Sequence, residues 1–359
     1  MTDHRLYIDK YQSQSFADVK FNQDVAQQLS SLAQNDNLPH LIIKGYEGSG
    51  RKMLVRLFIK TKYHVEILHI KPQNIEIKNS NKKIKLQMLY SDYHYQIDPS
   101  LNGVYDRIII QSFIKDILQT KPIDKISYHI VVILNADRLT FEAQQSLRRT
   151  LEKTIGNSRF IFIINSNSSL IESLNSRCVQ IRLASPTDEQ IQTILESICQ
   201  HENKPTDSKI LNYIIKRSER NLTKAMNLLQ HYHLLQSSTL NQSNLILLKK
   251  IDNIYQYVKE LCYIILNAQD IHDIMEIRNR IYDLLVQCVD PLLVLKWIFK
   301  IIMSEFEQNK VSQQKKLQLI QIVNTVENNL HQCSKPIYHL ENLSIEIILL
   351  NRNLGLVVN

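Results

Sequence analysis

The chain has 359 residues, 44% of them hydrophobic, and a net charge of +8 from 43 basic and 35 acidic side chains, enough for two or three domains with cores of their own. It contains no uninterrupted apolar run of about 18 residues, and Asp3, His4 and Arg5 interrupt any apolar start, so neither a signal peptide, a spanning helix nor a membrane partner is expected. Its five cysteines, Cys178, Cys199, Cys262, Cys288 and Cys333, are odd in number, scattered and never in a Cys-x-x-Cys pair, which argues against a disulfide framework and a zinc centre. The positive surplus permits a polyanionic partner, but apart from clusters such as KNSNKK (78–83) it is dispersed, as on many solvated surfaces.

From about residue 38 to 183, short apolar runs alternate with helical stretches: LII (41–43), RIII (107–110), IVVIL (130–134), RFIFII (159–164) and VQIRL (179–183). Runs without polar alternation, separated by helices, predict parallel strands buried on both faces. Between 64 and 97, HVEILHI, IEIK and KIKLQM predict instead an antiparallel insertion with one wet face.

The first strand runs into HLIIKGYEGSGRKMLV (40–55), where Gly45, Gly48 and Gly50 place three of the chain's six glycines in one six-residue window. Glycine is needed where backbone takes positive φ or approaches something closely, so the cluster marks a special loop, and a phosphate cradle is the candidate. Gly45 and Gly50 have the spacing of G-x-x-x-x-G-K-[ST], but Arg51 stands at the lysine position and Lys52 at the hydroxyl position. A guanidinium is wider and more forked than the ammonium that lies along phosphates, and the hydroxyl that holds magnesium is missing. Sliding the frame to make Lys52 the lysine leaves Met53 in the hydroxyl's place. Backbone N–H groups at a helix start still suit phosphate; the competing possibility is a turn that only joins strand to helix.

VVILNADRLTFEAQQSLRRTLEK (131–153) is an apolar strand with a polar end, then a helix from near Thr140 with Ala143, Leu147 and Leu151 on one face. In P-loop ATPases this strand end carries an Asp for magnesium and often a Glu that polarises water. Here those places hold Leu134 and Asn135, with Asp137 remaining. Leucine cannot bind a metal and an amide is a very weak base, so catalysis at this site is not expected.

A boundary follows at SPTDEQIQTILESI, where Ser185 suits a cap, Pro186 the first turn, and Asp188 and Glu189 the positive end of the helix dipole. Helical periodicity continues to about residue 246. Residues 247–359 hold only Gly355, Pro291 and Pro336 as breakers and predict a separate all-helical domain.

These stretches together resemble the small subunits of replication factor C, the AAA+ sliding-clamp loader, and most of all the subunit 3 type. The resemblance is carried by IDKYQSQSFADV, LPHLIIKGYEGSGRK, NADRLTFEAQQSLRRTLEK, NSRCVQIRLASPT, ERNLTKAMNLL and SKPIYHLE, which run from one end of the chain to the other. It implies an α/β AAA+ P-loop core with a parallel sheet (1–184, insertion about 64–97), a helical lid (185–246) and an all-α collar (247–359) that joins five subunits in a ring. Its implied partners are the other replication factor C subunits, a PCNA-type sliding clamp and primer-template DNA, in the nucleus, in replication and repair.

The resemblance also implies roles. Tyr11 borders a bound adenine, although Gln12 and Ser13 replace the family's arginine and proline; Asn165 matches a sensor facing a γ-phosphate; and Thr223, with Lys224 beside it, stands where the lid usually offers an arginine. The nucleotide implied is ATP or ADP, held at Gly45, Gly48, Gly50, Arg51 and Lys52 without hydrolysis, with magnesium left open. In contrast, Asn175, Ser176, Arg177 and Cys178 keep the motif whose arginine reaches a neighbour's ATP, a task suited to a permanently charged fork. The bland alternative is an arginine salt-bridged on its own surface, with Cys178 as core filler. For DNA, the resemblance points to the helix starts near Gln111 and Thr140, with Arg148 and Arg149 as interface candidates. The competing functional class is a non-catalytic AAA+-like adaptor of another DNA-associated complex.

Overall fold

The computed structural model describes residues 5–35, 37–66, 68–79, 82–119, 128–153, 158–165, 170–238, 253–309, 311–332 and 335–352. They fall into two compact units, Met1–Leu234 and Leu235–Asn359.

The first unit is built on a seven-stranded sheet of β1 (His40–Gly45), β2 (Lys71–Asn79), β3 (Lys82–Tyr90), β4 (His94–Ile97), β5 (His129–Ile133), β6 (Ser158–Asn165) and β7 (Cys178–Leu183), in the order β2-β3-β4-β5-β6-β1-β7. β4 through β7 pair parallel, while β2, β3 and β4 form an antiparallel meander at one edge. The apolar runs are continuous because both faces are covered. Ile42, Val131, Ile133, Phe160 and Phe162 enter one core cluster, and their neighbours Leu41, Ile43, Ile130, Val132 and Ile161 enter the other.

α1 (Tyr7–Lys10) meets Glu202, Gln230 and His233, which follow the last strand, while around the sheet lie α2 (Gln23–Gln34), α3 (Arg51–Tyr63), α4 (Asp106–Gln119), α5 (Phe141–Lys153) and α6 (Glu172–Asn175). RIII, expected as a strand, lies in α4 instead. Ile109 and Ile110 are buried and Arg107 and Gln111 exposed, because a helix lying on a sheet needs a broad apolar face. The strand beside β5 is the shorter β4. HVEILHI forms no strand at its described residues, although Leu68 is buried.

Three helices close this unit: α7 (Asp188–His201), α8 (Ser208–Ser218) and α9 (Leu222–Ser238). The cap of α7 is Thr187, two residues beyond the expected Ser185. Its hydroxyl accepts from Gln190 N at 3.3 Å and its own N–H donates to Gln190 Oε1 at 2.9 Å, a reciprocal capping box that Ser185 could not form.

Among its described residues the second unit is built of helices: α10 (Asn253–Asn267), α11 (Ile271–Val286), α12 (Pro291–Gln308), α13 (Gln313–Gln332) and α14 (Pro336–Arg352). Pro291 opens α12, with Asp290 capping Leu292 N at 3.1 Å. Leu261, Ile265, Ile281, Ile298, Ile302, Leu340 and Ile347 meet in one core. Among the described residues no helix is long and apolar enough to cross a membrane.

Candidate functional site

The glycine-rich loop lies between β1 and α3, at the C-terminal edge of the parallel strands, where open α/β sheets place ligands. Gly50 (φ +80°) caps α3 in the left-handed region and Gly48 has φ +78°, both conformations that side chains resist. A Cβ on Gly48 would lie 2.2 Å from Asn221 Oδ1 and 2.8 Å from Asn221 Cα. The start of α9 therefore packs directly on the loop.

Arg51 does not extend along the loop. Its Nη1 donates to Ile164 O at 2.7 Å and to Asn165 Oδ1 at 3.0 Å, so the residue at the lysine position bonds the asparagine expected as a sensor, at the end of β6. Burial lowers the pKa of Arg51, opposed by the charges of Glu47 and Asp137. Lys52 is exposed on the first turn of α3.

At the end of β5, Leu134 is buried and Asn135 takes φ +47°. Asn135 Nδ2 donates to Asp98 Oδ2 at 2.6 Å, and Ser100 Oγ donates to Asp98 Oδ1 at 2.5 Å. The carboxylate that ends the neighbouring strand thus has both oxygens engaged. Asp137 Oδ1 is buried without a hydrogen-bond partner among the described residues. Among the described residues no cluster of three His, Cys, Asp or Glu could hold a metal ion. The arrangement can accept an anion on backbone donors, and among the described residues Asp137 is the carboxylate left unengaged beside the end of β5, where Leu134 and Asn135 supply neither a metal ligand nor a base.

A cavity of about 350 Å³ adjoins the loop, lined by Tyr11, Gln12, Ser13, Val19, Phe21, Gly48, Gly50, Met53, Ile194, Ile198, Leu222, Thr223 and Met226. Gln14, Asp18, Lys20, Ser197 and His201 add polar groups to these walls, and a cavity of this size with a mixed lining suits a small ligand. Tyr11 borders it, and Tyr11 Oη and Lys10 Nζ both donate to Glu202 Oε1, at 2.6 and 2.7 Å. Those bonds, Lys10 first, lower the pKa of Glu202. Gln12 Oε1 accepts from Arg56 Nη1 at 2.9 Å. Gly48, Gly50, Tyr11 and Thr223 therefore come together around one space, while Arg51 and Asn165 pair with one another at the end of β6. Asn221, Glu202 and Asp98 escaped sequence reasoning, since their contacts span 37 to 192 positions or need the lid's placement.

Arg177 lies elsewhere. It immediately precedes β7, whose Cys178 pairs with His40 at the start of β1, whereas Gly45 at the loop end pairs with Leu183. Six residue steps, roughly 20 Å of strand, separate Arg177 from the position that pairs with Gly45 at the glycine-rich loop. Arg177 Nη2 donates to Glu152 Oε1 at 2.6 Å and Nη1 to Ser173 O at 2.8 Å, with Ser176 Oγ at 3.4 Å. Burial pushes the Cys178 thiol up to about 12 against the opposing pull of Arg177, so it packs as a neutral side chain.

At the other helix starts, Asp106 is 1% exposed and accepts from Thr140 N at 2.7 Å and Thr140 Oγ1 at 2.9 Å. Arg107 and Glu142 pair at 2.7 Å. The start of α4 is therefore Asp106, and Gln111, expected at a helix start, lies inside the helix. Arg148 and Arg149 are exposed on α5.

Two family models match the chain: "Replication factor C subunit 3, C-terminal domain" over residues 254–353 and "DNA polymerase III, delta subunit" over residues 21–187. Replication factor C subunit 3 of Mus musculus is 31% identical over 94% of this chain and 93% of its own length. Replication factor C subunit 5 of Schizosaccharomyces pombe is 31% identical over 94% of each. The RuvB Holliday junction branch migration motor of Thermotoga maritima aligns with TM-score 0.49 and 13% identity over 70% of this chain and 78% of its own. Identity sustained across both units, a P-loop core sheet with its helical lid, and the matched C-terminal domain have one consequence: the chain belongs to the replication factor C family of AAA+ clamp-loader subunits.

Proposed function

We propose that this chain is a small subunit of a five-membered, ATP-driven loader, nuclear in location, that places a PCNA-type sliding clamp on primer-template DNA in replication and repair. In this role it is the donor of Arg177 to a neighbouring subunit's ATP and not a hydrolase at its own site. The observation that carries the proposal is the position of Arg177. A permanently charged fork in an intact Asn-Ser-Arg-Cys motif stands at the end of β1 and β7 opposite the chain's own phosphate loop, so any phosphate it meets belongs to another subunit.

Its own site supports a passive role. Backbone donors and the adjoining cavity favour ATP or ADP, while Arg51 is spent on Ile164 and Asn165 and no carboxylate replaces Leu134 or Asn135. Residues 1–184 serve as the nucleotide core, 185–246 as the lid and 247–359 as the collar.

The test is Arg177→Ala in the assembled complex. DNA- and clamp-stimulated hydrolysis at one neighbouring site should fall by about 10³, with assembly intact. Clamp loading and ATP turnover at the unmodified rate would sink the proposal and leave Arg177 to its surface pair with Glu152.

A further inference from the structure

We infer that Glu152 is the positioning residue of Arg177: its carboxylate orients the guanidinium for the neighbour's phosphates and so sets the rate at that site without touching nucleotide. This rests on the trans role proposed above and adds the residue that governs it.

Arg177 is a long side chain on the turn between the four-residue α6 and β7, and an unrestrained arginine has much rotamer freedom to lose on reaching a fixed point. Two contacts restrain it. Ser173 O takes Nη1 and Glu152 Oε1 takes Nη2, and two fixed nitrogens define the plane of a rigid guanidinium. The contacts differ in what they tie it to. Ser173 lies in the arginine's own short segment, beside the buried Leu174. Glu152 belongs to α5, thirteen residues anchored in the same core by Ala143, Leu147 and Leu151, so this bond ties the arginine side chain to a second, longer element.

The segment's other end meets the same helix. Ile171 N donates to Gln144 Oε1 at 3.0 Å, and Gln144, Arg148 and Glu152 recur every fourth residue along one stripe of α5. Arg148 Nε lies 3.7 Å from the oxygen that holds Arg177, which keeps the Glu152 carboxylate at that end of the helix.

The strength of the pair suits orientation rather than capture. The Arg177 and Glu152 side chains are 34% and 48% exposed, and ion pairs that open to water are weak. A triphosphate carries several times the charge of one carboxylate, and a guanidinium has five N–H donors, so Arg177 can engage phosphate while Glu152 holds its plane.

The experiment uses the full chain assembled with the other replication factor C subunits, the remaining ATP sites being disabled so that the neighbouring site is read alone. Glu152→Gln, isosteric and exposed, should lower DNA- and clamp-stimulated kcat roughly two- to fivefold, the range an exposed pair allows, with KM for ATP unmoved. In the Arg177→Ala background the same substitution should have no further effect, because Glu152 acts only through the arginine. Thermal melting of each variant chain checks that the fold is unchanged. An unmodified rate in Glu152→Gln, a faster one, or a loss that adds undiminished to that of Arg177→Ala would overturn the positioning role while leaving the trans arginine standing. No effect of Arg177→Ala itself would overturn both.

Discussion

Arg51 donates to Asn165 at 3.0 Å, joining the residue at the lysine position of the phosphate loop to the polar residue that ends β6. In a working site those two positions face phosphate; here they face each other, and Ile164 O completes the arrangement at 2.7 Å. Arg51→Ala removes a charged donor from two acceptors, so the first unit should lose about 1.5–3 kcal/mol, read as a fall in its denaturant midpoint. The ATPase of the assembled complex should be unchanged. Lower turnover with unchanged stability would show that Arg51 works on nucleotide.

Gly48 and Gly103 separate backbone strain from contact. Both have positive φ, +78° and +51°, but a Cβ on Gly48 meets Asn221 at 2.2 Å while one on Gly103 meets nothing within 4 Å. Gly103→Ala should cost about 1–3 kcal/mol from the positive-φ backbone (ψ −120°) alone. Gly48→Ala should cost distinctly more, because the start of α9 must move off the loop. Equal shifts in melting temperature would mean that the lid yields freely there.

How much of this was legible in sequence differs by distance along the chain. The loop, the strand ends and the Asn-Ser-Arg-Cys turn were legible because each is a local pattern in which a few neighbouring residues fix the chemistry. The partner of Arg51 is 114 positions away and that of Arg177 is 25 positions back on another helix, and no spacing rule reaches either. RIII misled for a different reason. Three β-branched residues in a row favour strand by propensity, yet Asp98, Pro99 and Gly103 just upstream are turn and helix-start signals, and the burial of Ile109 and Ile110 on the sheet outweighs propensity. The strand that takes its place, His94–Ile97, shows only two buried side chains at its ends, too short for alternation to register.

Acid should loosen the first unit through three buried imidazoles. Burial first, and then the nearby cations Arg159, Arg56 and Lys204, lower His40, His94 and His233 each to about 4, against about 6.5 in the unfolded chain. Between those values the unfolded state binds more protons, so stability falls as pH drops from about 6.5 to about 4 and is flat above. His94, which bonds Ser91 Oγ at 2.5 Å, offers the cleanest variant: His94→Gln should flatten that slope. An unaltered slope would assign the acid loss to other groups.

In the proposed ring, the second unit should hold the chain through the outer face of α11. Ile277, Ile281 and Leu284 point into the core at 2% exposure or less, whereas Ile271, Met275, Tyr282 and Val286 are 81%, 54%, 45% and 77% exposed. These four share one face of α11 on either side of Arg278, which pairs with Glu341 at 2.9 Å, and exposed apolar residues of this kind are what a neighbouring subunit covers in an oligomer. Met275→Glu puts a further charge among them. At an exposed position it should change the stability of the isolated chain by no more than about 0.5 kcal/mol, yet reduce its incorporation on co-expression with the other subunits. Ile281→Ala is the contrast, since emptying a buried position should cost about 2–5 kcal/mol and weaken assembly only by unfolding the unit. A chain ending at Ile246 lacks both faces and should not be incorporated. Stoichiometric recovery of that truncated chain would refute the collar assignment, and full incorporation of Met275→Glu would move the contact to another face of the same unit.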